Sequence, residues 1–299
     1  MPNIVIVGLG NTDNQTALIR DSFMHRIVVK LGTNVIMRPD GKVALGLLCG
    51  LVEQIAALRD QGLEVLVVSS GAIGLGVERL GLSSRPTVVA QVQACAAIGQ
   101  SRLMALYGDA FDRLNCPIAQ VLLTEDDFRD PVRYANLRAT LDALLTLGVI
   151  PIVNENDTVS TAELDRPAET AQHERSERIE RIFGDNDKLS ALLMKHINAD
   201  MLVLLSDVDG LYDRDPSDPG AKVLRLVGSI DDRILALAQG SNGRGRGGMT
   251  SKLESARIAL RAGKQVVIAN GRTPQVLERI VDGEALGTRF SPALHEAAR

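Results

Sequence analysis

Residues 27–34 read Ile27-Val28-Val29-Lys30-Leu31-Gly32-Thr33-Asn34. Apolar residues fill every position up to Leu31 except Lys30, with none of the polar alternation that marks a strand wet on one face. Such a run belongs to a strand covered on both faces, as in a parallel sheet with helices above and below. Lys30 interrupts it just before a glycine turn. A lysine there must bury its stem and bring its ammonium to an anion, or else sit on an edge strand and reach solvent.

Outward from this segment the same pattern recurs at Glu64–Ser69, Ile118–Leu123, Val149–Val153, Met201–Leu205 and Gln265–Ala269. Amphipathic stretches lie between: Leu45–Arg59, Val88–Leu114, Val132–Leu147, Asp187–Ile197, Ser251–Ala262 and Pro274–Val281. Strand and helix in alternation predict an α/β fold with a largely parallel central sheet. Two segments break the rhythm. Residues 162–181 are polar, with Glu174/Arg178 and Glu177/Arg181 at helical i,i+4 spacing, and read as a solvated insertion. Gln239–Gly248 is glycine-rich and reads as a mobile loop. The first 23 residues stand apart. Asn3–Gly10 (NIVIVGLG) suggests a strand and a dinucleotide-binding turn, but Asp13 stands where the third glycine should be. A carboxylate there would repel pyrophosphate, which leaves an extra edge strand or an arm. Met24, just before the first regular strand, would serve as an alternative translation start, which leaves the start open between Met1 and Met24.

Composition narrows the class. The chain has 299 residues, 45% hydrophobic and 23% charged, enough for one large domain or two ordinary ones with a full core. Trp is absent and aromatics are 3%, so the core must be aliphatic. A net charge of −4 gives no global positive field, which argues against a nucleic-acid binder. Cys49, Cys95 and Cys116 are scattered, without CxxC pairs, and read as reduced thiols of a cytoplasmic protein. No apolar run approaches the roughly 18 residues of a membrane span, and no secretory signal is visible.

The sequence contains no GxxxxGK[ST], HExxH, GxSxG or HRD/DFG motif. Its polar residues gather instead at the C-terminal ends of the expected strands, where open α/β sheets bind ligands. Lys30 and Gly32 end the first. Ser69-Ser70-Gly71 ends the second and opens a small-residue helix, a place for an anion or for ordinary capping. Asn154-Glu155-Asn156-Asp157 ends the fourth, with more polar side chains than an Asx-turn needs. Gly184-Asp185-Asn186-Asp187 opens a helix, and its two carboxylates would organise lysines or act on Mg²⁺ through water. Ser206-Asp207 ends another strand and suits a nucleotide's base or ribose. Finally, Arg244-Gly245-Arg246-Gly247-Gly248-Met249-Thr250-Ser251-Lys252 runs from a glycine loop into a helix. N–H donors, helix dipole and a cation coincide there, as in a phosphate site; the rival reading is an RGG-type RNA arm.

In this order, the blocks VVKLGTN, VVSSGAIGLG, QACAAIGQSRL, RYANLRATLDALL, VIPIVNENDTV, GDNDKLSALL, ADMLVLLSDVDGLYDRDP, GGMTSKLESARIALRAG and VIANG, closing with Leu286–Phe290, resemble the amino acid kinase family over about residues 26–290. NEND (154–157) with GDND (184–187) is similar to its glutamate 5-kinase branch. The resemblance implies a three-layer αβα sandwich. It implies ATP-dependent phosphorylation of the L-glutamate side-chain carboxylate, the first step of proline biosynthesis. A single kinase domain would span 26–299, after an extension of unknown role at 1–25 and without a C-terminal PUA domain.

Carried over by position, Lys30 and Lys252 would stabilise the transferring phosphoryl group and Asp187 would hold them. Gly32 and Gly71 would donate backbone N–H groups. Ser70, Asp157 and Asn186 would bind glutamate, with Gly71, Asn154 and Asp185 nearby. Ser206, Asp207 and the loop Arg246, Gly247, Gly248, Met249, Thr250, Ser251, Lys252 would contact ATP. Mg²⁺ would be held mainly by the ATP phosphates, with no direct protein ligand. The partners implied are these small molecules, a second copy of the chain docked through long helices such as Val88–Leu114, and glutamate-5-semialdehyde dehydrogenase as acceptor of the product; no nucleic acid or membrane is among them. Arg246 departs from the family's GTGGM loop, where threonine is usual. The 162–181 segment borders the glutamate pocket, which argues against the family's feedback inhibition by proline. Two other readings are an amino acid kinase for acetylglutamate or another small acceptor, and a non-catalytic sensor on the same fold.

Overall fold

The first apolar run forms β1 (Arg26–Leu31), and its pairing on both sides sets the frame of the molecule. The computed structural model describes residues 24–159, 186–239 and 246–292. The segment 1–23, the insertion 162–181, Asp185 and the glycine loop at 240–245 lie outside the described residues. After β1 the chain runs through α1 (Thr33–Ile36), α2 (Leu45–Asp60), β2 (Glu64–Ser69), α3 (Ala72–Arg79) and α4 (Val89–Asp112). It continues with β3 (Ile118–Leu123), α5 (Asp126–Arg129), α6 (Pro131–Thr146), β4 (Ile150–Glu155), α7 (Asn186–His196) and β5 (Met201–Ser206). The last part is β6 (Leu226–Val227), α8 (Asp232–Gln239), α9 (Arg246–Arg261), β7 (Gln265–Asn270), α10 (Val276–Val281) and β8 (Thr288–Phe290).

The described strands form one eight-stranded sheet in the order β3-β4-β2-β1-β5-β7-β8-β6, parallel throughout except for the β7–β8 pair. Winding first to one side of β1 and then to the other puts a topological switch between β1 and β5. That is where an open α/β sheet leaves a crevice at its carboxyl edge.

Strand parity divides the interior into two cores. Ile27, Val29, Leu31, Val65, Val67, Ile152, Val203 and Val267 pack with Leu51 and Ile55 of α2 and Leu103, Tyr107 and Phe111 of α4. Val28, Leu66, Val68, Val153, Leu202, Leu204 and Ile268 pack with Leu141 of α6, Leu189 and Leu193 of α7, and Leu253 and Ala256 of α9. The result is the three-layer αβα sandwich. Because Lys30 shares parity with Val28, it emerges on the α7/α9 side.

The structure adds elements that periodicity did not show. β6 and β8 have two and three residues, too short for a legible run, and β8 supplies the one antiparallel pairing of the sheet. Helix α9 starts at Arg246, five residues before the expected Ser251, despite glycines in its first turn. Glycine costs about 1 kcal/mol per helical position, so here the packing of Leu253, Ala256 and Ala259 outweighs propensity.

Helices α3 and α4 cross in near-backbone contact. A Cβ on Gly99 would lie 1.7 Å from the Ala72 carbonyl oxygen, and one on Gly76 would lie 1.9 Å from that of Cys95. Only glycine at both positions permits the crossing, which lays the start of α3 against the middle of α4 and so builds one wall of the site.

Candidate active site

Lys30, Asp187 and Lys252 meet beneath the carboxyl edge of the sheet. Lys30 Nζ lies 2.7 Å from Asp187 Oδ1, and Lys252 Nζ lies 3.0 Å from Oδ2 of the same carboxylate. All three are buried, at 6%, 2% and 7% exposure. Strand parity delivers Lys30. Asp187 sits in the first turn of α7, which Leu189 and Leu193 anchor in the second core. Lys252 comes from the second turn of α9 and also donates to the Gly248 carbonyl at 3.2 Å. Desolvating a charge costs several kcal/mol unless it is paired. Two ammonium groups on one carboxylate leave one positive charge in excess, a standing demand for an incoming anion.

Beside this cluster lies a cavity of about 390 Å³, lined among others by Thr33, Ser70, Gly71, Asn154, Glu155, Asp157, Asn186 and Arg85. A chain of amides holds its inner wall. Gln100 Oε1, on α4, accepts from Asn154 Nδ2 at 2.9 Å; Asn154 Oδ1 accepts from Asn186 Nδ2 at 2.9 Å. Asn186 Nδ2 also reaches Ser70 Oγ at 3.0 Å and the Ser69 carbonyl at 3.1 Å. Ser69 Oγ is 2.8 Å from the hydroxyl of Tyr107. Burial pushes that phenol well above its ordinary pKa, so it stays a neutral hydrogen-bonding group. Asn186 Oδ1 is buried without a hydrogen-bond partner among the described residues, an acceptor open to a ligand's N–H. Gly71 takes φ 99° at the start of α3, and Gly71, Ala72, Ile73 and Gly74, at the helix end whose first N–H groups have no intrahelical acceptors, are among the residues lining the cavity.

On the other side of β1, Ser206 Oγ donates to Asp207 Oδ1 at 3.2 Å, and Asn34 Nδ2 donates to Asp207 Oδ2 at 2.9 Å. Gly248, Met249, Thr250 and Ser251 lie in the first turns of α9, leading to Lys252. Asp185 and the side chain of Arg246 lie outside the described residues, as does the part of Gly247 beyond its helical backbone.

The structure thus brings Lys30, Asp187 and Lys252 into one cluster, and Ser70, Gly71, Asn154, Asp157 and Asn186 onto one cavity. Gly32 is a correction. Its N–H donates to the Leu205 carbonyl at 3.1 Å and is not open to a phosphate. What the glycine supplies is room: a Cβ there would lie 3.2 Å from that carbonyl and 3.7 Å from Lys30 Nζ. Sequence reading gave no role to Gln100, Tyr107 or Arg85. The first two occur on the buried face of α4, and their period-3.6 burial is the only local signal; Arg85, in an irregular loop, carries none.

A match to the amino acid kinase family spans residues 25–270. A glutamate 5-kinase of Gloeobacter violaceus is 49% identical over 272 residues, 90% of this chain and 69% of the relative. One from a Synechococcus strain is 48% identical over 275 residues, 91% of this chain and 70% of the relative. Among solved structures, carbamate kinase from Giardia lamblia bound to AMP-PNP superposes with TM-score 0.60 at 20% identity, covering 89% of this chain and 98% of that one. Isopentenyl phosphate kinase gives 0.59 at 18%, covering 89% and 100%. At that identity the structures speak for the fold alone, and the fold agrees with the sheet order and two-faced core described above. By family match, by sequence and by architecture, this chain belongs to the amino acid kinase family.

Proposed function

We propose that the chain transfers the γ-phosphoryl group of ATP to the side-chain carboxylate of L-glutamate, as a glutamate 5-kinase of proline biosynthesis. The observation that carries the reading is the buried Lys30–Asp187–Lys252 cluster, with its excess positive charge, adjoining a polar cavity of amino-acid size. A glutamate γ-carboxylate oxygen attacks the γ-phosphorus, the bond to the bridging β-oxygen breaks, and ADP departs with that electron pair. The acyl phosphate is the product. The nucleophile is already ionised at neutral pH, so no general base is needed. Catalysis is then positioning plus charge neutralisation.

In this reading Lys30 and Lys252 neutralise the transferring group, and Asp187 fixes their spacing. Ser70, Gly71, Asn154, Asp157, Asp185 and Asn186 form the glutamate side. Ser206, Asp207 and residues 246–252 form the ATP side, with Gly32 leaving space where the two meet. Both oxygens of Asp187 are taken by lysines, which fits Mg²⁺ arriving on the ATP phosphates rather than on this carboxylate. When bound, the metal offsets phosphate charge and orients the triphosphate. Residues 26–299 would act as a single kinase domain in the cytoplasm, self-associating through long helices such as α4. The labile acyl phosphate would pass to a dehydrogenase.

Hydroxylamine converts an acyl phosphate to a stable hydroxamate. Purified protein with ATP and Mg²⁺ is expected to yield hydroxamate with L-glutamate. Product only with acetylglutamate or another acceptor would assign a different kinase of the family, and none with any acceptor would assign a sensor.

A further inference from the structure

The ionic inventory of the cavity is uneven. Among its described lining residues, Glu155 and Asp157 are the acids and Arg85 is the base. Glutamate carries one ammonium and two carboxylates, and the cavity must match all three. The side-chain carboxylate belongs at the end where Asn186 adjoins Asp187, because the phosphoryl-neutralising lysines are there. Glu155, Asp157 and the open Oδ1 of Asn186 offer acceptors for the ammonium. The α-carboxylate then needs a cation that is not part of the buried cluster. Arg85 stands in the loop between α3 and α4, is exposed, and lines the same cavity without belonging to the buried cluster.

Resting on the glutamate kinase reading, we infer that Arg85 binds the substrate's α-carboxylate and sets selectivity for a free amino acid. A planar guanidinium pairs with a carboxylate through two parallel N–H···O bonds, and lysine reproduces the charge but not the fork. Selectivity follows because a carboxamide at that place presents an N–H₂ donor to a group that only donates. Such contacts carry no information about the γ-carboxylate, so Arg85 acts on binding and leaves the chemical step alone.

The test measures kcat and KM for L-glutamate and for its α-amide, in which the α-carboxylate alone becomes a carboxamide, with wild type, Arg85→Gln and Arg85→Lys. Wild type is expected to favour glutamate over the amide by roughly 10- to 100-fold in kcat/KM, the scale of a charge-assisted pair. Arg85→Gln should raise the glutamate KM by a similar factor, leave kcat and the KM for ATP near wild type, and bring the two substrates close to parity. Arg85→Lys should fall between. An unchanged glutamate KM in Arg85→Gln, or an equal loss on both substrates, overturns the assignment while an active wild type preserves the kinase reading. A wild type inactive on glutamate takes down both.

Discussion

The site is made of two regions that meet at consecutive residues of one helix. Asp187 joins the charged cluster on the α7/α9 face, and Asn186 joins the neutral amide chain that runs to Gln100 on α4. Asp187 is buried with a lysine on each carboxylate oxygen, whereas Asn186 is half-buried and only its Nδ2 is engaged, and the two solve different problems. The cluster concentrates charge where a phosphoryl group would sit, and it keeps one positive charge unmatched. The amide chain carries no net charge; it fixes direction, since Asn154 has its donor end on Gln100 and its acceptor end on Asn186, which leaves Asn186 Oδ1 as the open end. One region supplies strength and the other supplies geometry.

Substitutions should separate these roles. Asp187→Ala is expected to have the largest effect, because it leaves two buried ammonium groups facing each other. Breaking a buried pair in this way costs about 3–5 kcal/mol, which urea unfolding would register alongside lost activity. Lys252→Ala leaves the Lys30–Asp187 pair electrically neutral, so folding should persist. Its kcat should fall at least about 10²-fold, the usual loss for one preorganised donor. A kcat like wild type would remove Lys252 from the chemistry.

On the amide side, Gln100→Leu strands the buried Asn154 Nδ2, at a cost of about 1–3 kcal/mol. Its kinetic mark should be a raised KM for glutamate with the KM for ATP unchanged. If Gln100→Leu and Lys252→Ala produced the same kinetic pattern, the distinction between the two regions would collapse. Tyr107→Phe deletes one neutral hydrogen bond to Ser69 and should cost about 1 kcal/mol, measured by the shift in urea midpoint.

The smallest effect concerns the far end of α7. His196 packs against Phe128 and Tyr134, with Nδ1 2.7 Å from the Tyr134 hydroxyl. Burial, aided by Lys195 and Arg138, holds its pKa below the ordinary imidazole value. The folded state therefore binds fewer protons than the unfolded one, and stability is lost as pH falls below about 6.5. The urea midpoint should decline between pH 7.5 and 5.5, and decline less in His196→Gln.

Much of this was legible in the chain. Continuous apolar runs such as Ile27–Leu31 and Met201–Leu205 mark strands buried on both faces, because a sheet with one wet face would alternate. Lys30 was conspicuous for the same reason: a cation inside such a run either meets a buried anion or marks an edge strand, and the pairing of β1 on both sides settles which. Other features leave no local trace. Thr288–Phe290 becomes a strand only because Val266–Ile268 offers it an edge. Arg246–Thr250 becomes helix because the residues after it are packed, not because glycines favour it. Gln100 reads as one more polar residue on a long helix until Asn154 arrives from another part of the chain.

The sequence alone determined the layers, the placement of polar residues at strand ends, and the set of charges available, since burial periodicity and residue chemistry are properties of short segments. Which anion receives Lys30, which amide faces which, that the Gly32 N–H is already spent on Leu205, and that Arg85 reaches the cavity were decided by tertiary structure. Each depends on distances between segments tens to hundreds of residues apart, and those distances exist only once the sheet and its two helical layers have packed.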